Sequence, residues 1–211
     1  MDSKGPQLNK RQQQYQATQD AIYAAVNALV KVMPFEKIRI QDICAQAGIS
    51  LGTFYHYFSN KNDLLIDRYK RTNRHFEQFY EEELTGLHAV DALKRMVAEF
   101  AQYIKTRLPD ILVPYYMAYL QNIQKWRKDE PGVVGRVYMG LIEEGLRTGE
   151  LQSRYTAEQL HRYISSATSG LIVSQCISQG TFLDDEDSLI VLLDWIEGLR
   201  GEPRVESGPR T

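Results

Sequence analysis

Residues 46–58 read QAGISLGTFYHYF, with Gly48 ahead of Ser50, a second glycine at Gly52, and rings at every position from Phe54 to Phe58. A helix that only buries one face has no use for rings on all sides. Thr53, Tyr55, His56 and Tyr57 carry hydroxyl or ring N–H donors on short stems, which suits phosphate oxygens. Gly52 has no side chain and lets the backbone near a helix start approach a ligand closely. Lys61, just beyond, adds a phosphate-directed charge. The chemistry these residues imply is non-covalent recognition of a polyanion.

Two short helices must present them. Over residues 40–47, Ile40, Ile43, Cys44 and Ala47 fall at i, i+3, i+4 and i+7, one narrow apolar face. Gly48 can take the left-handed conformation that closes a tight turn. Ser50 is a good N-cap for a helix over about 50–57. On that helix Leu51, Phe54 and Phe58 share a face by spacing, with Phe54 and Phe58 the core anchors. Gly52, Thr53, Tyr55 and His56 take the other face, with Tyr57 at its edge. Two such helices joined by Ala-Gly-Ile-Ser make a helix-turn-helix, whose second helix lies in the DNA major groove. The same spacing also fits a plain helical hairpin with every ring packed.

Around this pair, helical periodicity runs nearly throughout and β-branched alternation is scarce, so the expected fold class is all-α. Helices are expected over about 9–32, from the Asn60 cap onward, and over about 88–106, 109–128, 131–148, 156–179 and 184–200. Pro109 and Pro131 fall near first turns, whereas Pro114 should kink or shorten its helix. Gly149 is placed to end the helix before it.

The stretch IRIQDICAQAGISLGTFYHYFSNKNDLL resembles the N-terminal signature of TetR-family transcriptional regulators over about 28 residues in one register. LIEEGLRTGEL and HRYISSATSGLIV are similar to that family's C-terminal domain, less specifically. The resemblance implies a DNA-binding head over residues 1–60, a helical effector-binding and dimerising body over 61–201, and a tail over 202–211. It implies base-edge contacts from Gln41, Leu51, Gly52 and Tyr55, and phosphate contacts from Thr53, His56, Tyr57 and Lys61. Ser50, at the cap, belongs to the same DNA-facing set. Arg39 stands where the family usually has a capping Thr or Ser, so either the cap is lost or Arg39 itself reaches a phosphate. Leu51 stands where a polar residue is common, and either touches a thymine methyl or folds inward. Cys44 replaces the usual Ala, and a small buried side chain is the expected role.

The segment LPDILVPYYMAYLQNIQKW is rich in rings: Tyr115, Tyr116, Tyr119 and Trp126, with Tyr103 before it and Tyr138 after. In a TetR-like body these residues surround a cavity suited to a small, largely apolar effector. The competing reading is that most of them are core or interface residues. The dimer would form through helices 156–179 and 184–200 packed against their copies. The first offers Leu160, Ile164, Ala167, Gly170, Leu171 and Ser174; the second offers Leu189, Leu192, Leu193 and Ile196. Paired heads then read a palindromic double-stranded operator.

Residues 1–75 hold 11 Lys/Arg against 6 Asp/Glu, while 76–211 hold 14 against 21, so a basic first part sits on an acidic remainder. Cys44 and Cys176 form no CxxC, and a reduced cytoplasm is the expected location. No apolar run approaches the ~20 residues of a membrane span. Asp184 to Asp187 open a helix, where carboxylates complement the dipole, and no metal or cofactor is expected. His56, His75, His88 and His161 show no metal-binding spacing, and no catalytic set or phosphate loop is visible. The expectation is a ligand-released repressor. The alternative is a helical small-molecule-binding protein or enzyme that uses the body's pocket.

Overall fold

Side-chain caps set where the helices begin. Asn9 Oδ1 accepts from the Gln12 amide while Gln12 Oε1 accepts from the Asn9 amide, both at 2.9 Å. Asn60 caps the Asp63 amide at 3.1 Å, and Thr156 and Gln159 form a second reciprocal box. The computed structural model, described here over residues 9–107, 111–126 and 132–201, strings these into one helical path. α1 (Lys10–Val30), α2 (Ile40–Ala47) and α3 (Leu51–Tyr57) make the head. α4 (Lys61–Phe79) leads out of it to α5 (Ala89–Arg107), α6 (Leu112–Trp126), α7 (Val133–Thr148), α8 (Ala157–Ile177) and α9 (Ile190–Glu197). Among the described residues the sole extended pairing is an isolated bridge between Leu151 and Arg200.

The head is held by Ile22, Val26, Ile43, Phe54, Phe58, Leu64 and Leu65, all buried. Leu64 and Leu65 lie on α4, so the head's core continues past the start of that helix. The body buries Phe76, Leu93, Met96, Ile104, Tyr138, Ile142, Ile164 and Ile196. Where α7 crosses α5 the backbones come close. A Cβ on Gly145 would stand 2.7 Å from the Ala89 Cβ and 2.6 Å from Leu151 Cγ, which only glycine avoids.

Three expectations change here. α6 begins at Leu112, so Pro114 lies in its first turn, where a missing N–H costs little, and it does not interrupt the helix. The helix expected over 184–200 is instead two short 3₁₀ turns, Phe182–Asp184 and Glu186–Leu189, followed by the brief α9. The acidic side chains hold those turns: Asp185 accepts the Asp187 amide at 3.0 Å, and Asp184 pairs with Lys105 at 2.9 Å. The third change concerns α8. Leu160, Ile164 and Leu171, assigned to a dimer face, are buried within the protomer beside Thr168 and Gln175. The outward face carries Tyr163, Ser166, Gly170, Val173 and Ile177 instead. Pro109, Pro131, the tail 202–211 and the Trp126 side chain lie outside the described residues. No described helix is long and apolar enough to cross a membrane.

Candidate nucleic-acid interface and effector cavity

The turn between α2 and α3 follows from local chemistry. Gly48 takes φ +66°, and the Ile49 amide reaches back to the Cys44 carbonyl at 3.0 Å, closing α2. Ser50 Oγ accepts the Thr53 amide at 3.0 Å and lies 2.8 Å from Thr53 Oγ1. Ser50 therefore caps α3, and the Thr53 hydroxyl is half-buried against it. Cys44 is buried, with its thiol 3.8 Å from the Ser50 carbonyl.

Phe54 and Phe58 are buried, and the Phe58 ring meets that of Tyr23 on α1 edge-on at 6.2 Å. Leu51 and Tyr55 point outward, 41% and 51% exposed, so Leu51 does not join the core. His56, Gly52 and Gln41 are also exposed. A Cβ on Gly52 would meet nothing closer than Ser50 Oγ at 3.7 Å, an ordinary contact, so the fold itself does not demand glycine there. Tyr57 is half-buried, its ring 4.6 Å from that of Tyr15 on α1. Gln41 on α2 and Leu51, Gly52, Tyr55 and His56 on α3 are thus the members of the expected DNA-facing set that stand exposed on this helix pair.

Two basic residues of the expected DNA-facing set have partners within the head. Arg39 is the N-cap residue of α2, and its guanidinium is engaged by Asp42 at 3.0 Å, while Asp42 also accepts the Arg39 amide at 2.9 Å. The cap is half rebuilt: a carboxylate three residues on satisfies the cap amide, since an arginine has no acceptor to return. Lys61 was expected to reach a phosphate. Its ammonium instead donates to the carbonyls of Phe35, Glu36 and Ile38 at 2.7, 3.0 and 3.0 Å, so all three N–H groups are engaged inside the head.

In the body, a cavity of about 550 Å³ opens among α4, α5, α6, α7 and α8. Tyr103, Tyr115, Tyr116, Tyr119 and Tyr138 all border it. Sequence reasoning missed two walls. Tyr69, Thr72 and Asn73 come from α4, and His161, Ser165 and Ile172 come from α8. The apolar i, i+3, i+7 spacing of Tyr69, Thr72 and Phe76 was a usable signal for the first. Several polar groups of the wall are already paired with protein. Thr72 donates to the Arg68 carbonyl at 3.0 Å and so accepts from Tyr103, whose hydroxyl is 3.2 Å away. Thr168 donates to the Ile164 carbonyl at 2.9 Å, and His161 Nε2 faces the Gly135 carbonyl at 3.0 Å. Burial pushes the Tyr115 and Tyr116 hydroxyls above the usual tyrosine range, so both stay protonated at neutral pH.

An exposed helix-turn-helix on a separate helical body with an internal cavity is the build of a one-component DNA-binding regulator. Residues 22–67 match the family model described as bacterial regulatory proteins, tetR family. The matched segment is the helix-turn-helix head, and over it the chain carries the DNA-binding head of TetR-family transcriptional regulators. The chain is 24% identical over 135 residues to the fatty acid metabolism regulator protein of Bacillus subtilis (strain 168), covering 60% of this chain and 69% of that one. The fold is also that of Salmonella enterica GusR, with a TM-score of 0.67 at 18% identity over 87% of this chain and 95% of that one. Bacillus subtilis FadR in complex with stearoyl-CoA gives a TM-score of 0.64 at 18% identity, over 88% and 96% of the two chains.

Proposed function

We propose that this protein is a repressor that binds a palindromic operator as a homodimer and leaves it when a small, largely apolar effector enters the body cavity. The observation that carries this is the double use of α4. Its first turns pack with the head through Leu64, Leu65 and Asp67, and its next turns wall the cavity through Tyr69, Thr72 and Asn73. A ligand that displaces the cavity wall therefore moves the helix on which the head is mounted. This gives the two sites a shared mechanical element, the physical requirement for reciprocal coupling.

An acyl chain suits the cavity. Its volume of about 550 Å³ lies within the ~300–1,000 Å³ of ligand pockets, six tyrosine rings and Phe100 line it, and the Thr72, Tyr103 and Thr168 hydroxyls have protein partners. The similarity to a fatty acid metabolism regulator favours the same class. An acyl-CoA would put its chain inside and its charged nucleotide outside these walls. Dimerisation falls to the outward face of α8, with Val173 and Ile177, joined by Ile190 and Val191 of α9, all four exposed. Base-edge contacts fall to Gln41, Leu51, Gly52 and Tyr55, and phosphate contacts to His56, Thr53 and Tyr57 at the rim of α3. The division of the chain into reader and sensor falls within α4, past the boundary at residue 60.

Selection of duplexes from a random pool by the purified protein, repeated at rising salt, tests the reading. A palindromic sequence that keeps its preference as salt rises supports it. Binding that fades equally for all sequences overturns it.

A further inference from the structure

Lys61 stands first in α4, yet its side chain reaches back 23 to 26 residues to the turn before α2. In the 3₁₀ turn Phe35–Lys37 the Phe35 carbonyl accepts the Ile38 amide at 3.2 Å and keeps a second lone pair, while the Glu36 carbonyl lies beyond the short hydrogen-bond ladder. Lys61 Nζ collects the carbonyls of Phe35, Glu36 and Ile38 at 2.7, 3.0 and 3.0 Å and lies 4.6 Å from the centre of the Phe35 ring. Burial lowers the affinity of this amine for its proton, opposed by the charge of Glu36.

The Ile38 carbonyl and the Arg39 amide are the two ends of one peptide unit. Lys61 holds the carbonyl end at 3.0 Å, and Asp42 Oδ2 holds the amide end at 2.9 Å. A planar peptide fixed at both ends has no remaining freedom to pivot. That peptide is also the entry to α2, so the direction of α2, and of α3 packed on it, is set from the first residue of α4.

We infer that Lys61 is a positioning residue: it orients the DNA-reading pair through the 38–39 peptide and makes no phosphate contact. The inference rests on the DNA-binding reading above. Three consequences separate it from a phosphate-binding lysine. Loss of the ammonium should weaken operator binding without changing how steeply binding falls with salt, because no counterion is released at this position. Arginine should not substitute, since a flat guanidinium fan cannot bring three N–H groups to one point among three carbonyls, whereas it serves a phosphate well. The backbone around residues 35–43 should loosen even without DNA.

The test uses the full chain with Lys61→Met and Lys61→Arg, assayed well below their melting temperatures. Operator affinity should fall about tenfold or more in both, the loss of charged hydrogen bonds, with the wild-type salt slope retained. Amide exchange should quicken over residues 35–43 and stay unchanged in α5. Three results overturn the inference. One is a salt slope reduced by about one unit with affinity restored by arginine, which marks a phosphate contact. Another is wild-type operator affinity in a variant that merely melts earlier, which marks a structural role alone. The last is unchanged amide exchange in both variants. Failure of the wild-type protein to prefer any duplex is seen before a variant is made, and it removes the DNA-binding reading itself.

Discussion

The Tyr23 hydroxyl of α1 donates to Asp67 Oδ2 of α4 at 2.7 Å, joining the first helix of the head to the helix that walls the cavity. Arg71 extends the joint, reaching Asp67 at 3.0 Å, Asp20 at 3.1 Å and Gln19 at 2.8 Å. Tyr23→Phe should lower stability by roughly 1–2 kcal/mol, since it deletes a charge-assisted bond but leaves Asp67 paired with Arg71. Denaturant unfolding reads this directly. An unchanged midpoint would mean that α1 is held by its apolar face alone.

Gly52→Ala separates folding from recognition. The methyl meets nothing closer than 3.7 Å, so the variant should be as stable as wild type or gain up to about 0.5 kcal/mol from helix propensity. Operator affinity should nevertheless drop, because the methyl projects from the exposed start of α3 towards the duplex. A variant that binds the operator normally would show that the backbone at Gly52 does not approach DNA closely.

Leu51 is 41% exposed, so Leu51→Ala should leave stability nearly unchanged and relax base preference at one position per half-site by ~1 kcal/mol or less. Affinities for a panel of single-base operator variants check this. Equal losses against every base would assign Leu51 to general contact instead of thymine recognition.

How far the sequence discloses this protein depends on how local each feature is. The Gly48 turn, the Ser50 and Asn60 caps and the rings of α3 all act within four residues, and their types announce them. Lys61 does not, because its acceptors are backbone carbonyls more than twenty residues away, identical in every sequence. On α8, apolar and small residues occupy both faces, so periodicity alone assigned Leu160, Ile164 and Leu171 to the partner when they fill the protomer core. The cavity rings on α6 stood out by composition. Tyr69 on α4 and His161 on α8 join them only because five helices converge, which no single segment records.

Glu197 gives a pH prediction. Hydrogen bonds from Arg200 and then Lys94 hold its carboxyl down to about 2, below its ordinary 4.5. A depressed carboxylate stabilises the fold above its unfolded value, and that stabilisation is lost as pH falls from 4.5 towards about 2. Glu197→Gln should flatten the acid limb of a stability profile in that window and leave its shape above pH ~5 unchanged. Added salt should shrink the difference, because the cluster is solvent-exposed. An identical acid limb in the two proteins would remove Glu197 from the pH response.

The most direct measurement of coupling between cavity and head is a two-way titration of the protein with stearoyl-CoA and a labelled operator duplex. Stearoyl-CoA at ~100 times its dissociation constant should raise stability by about 2.7 kcal/mol and weaken operator binding. Saturating operator should weaken stearoyl-CoA binding by the same factor, because the coupling is reciprocal. Tyr119→Ala, which opens the cavity wall, should diminish the stability gain and the operator release together. Stearoyl-CoA that stabilises the protein while operator affinity stays constant, or that releases operator as well from Tyr119→Ala as from wild type, would contradict a cavity coupled to the head through α4.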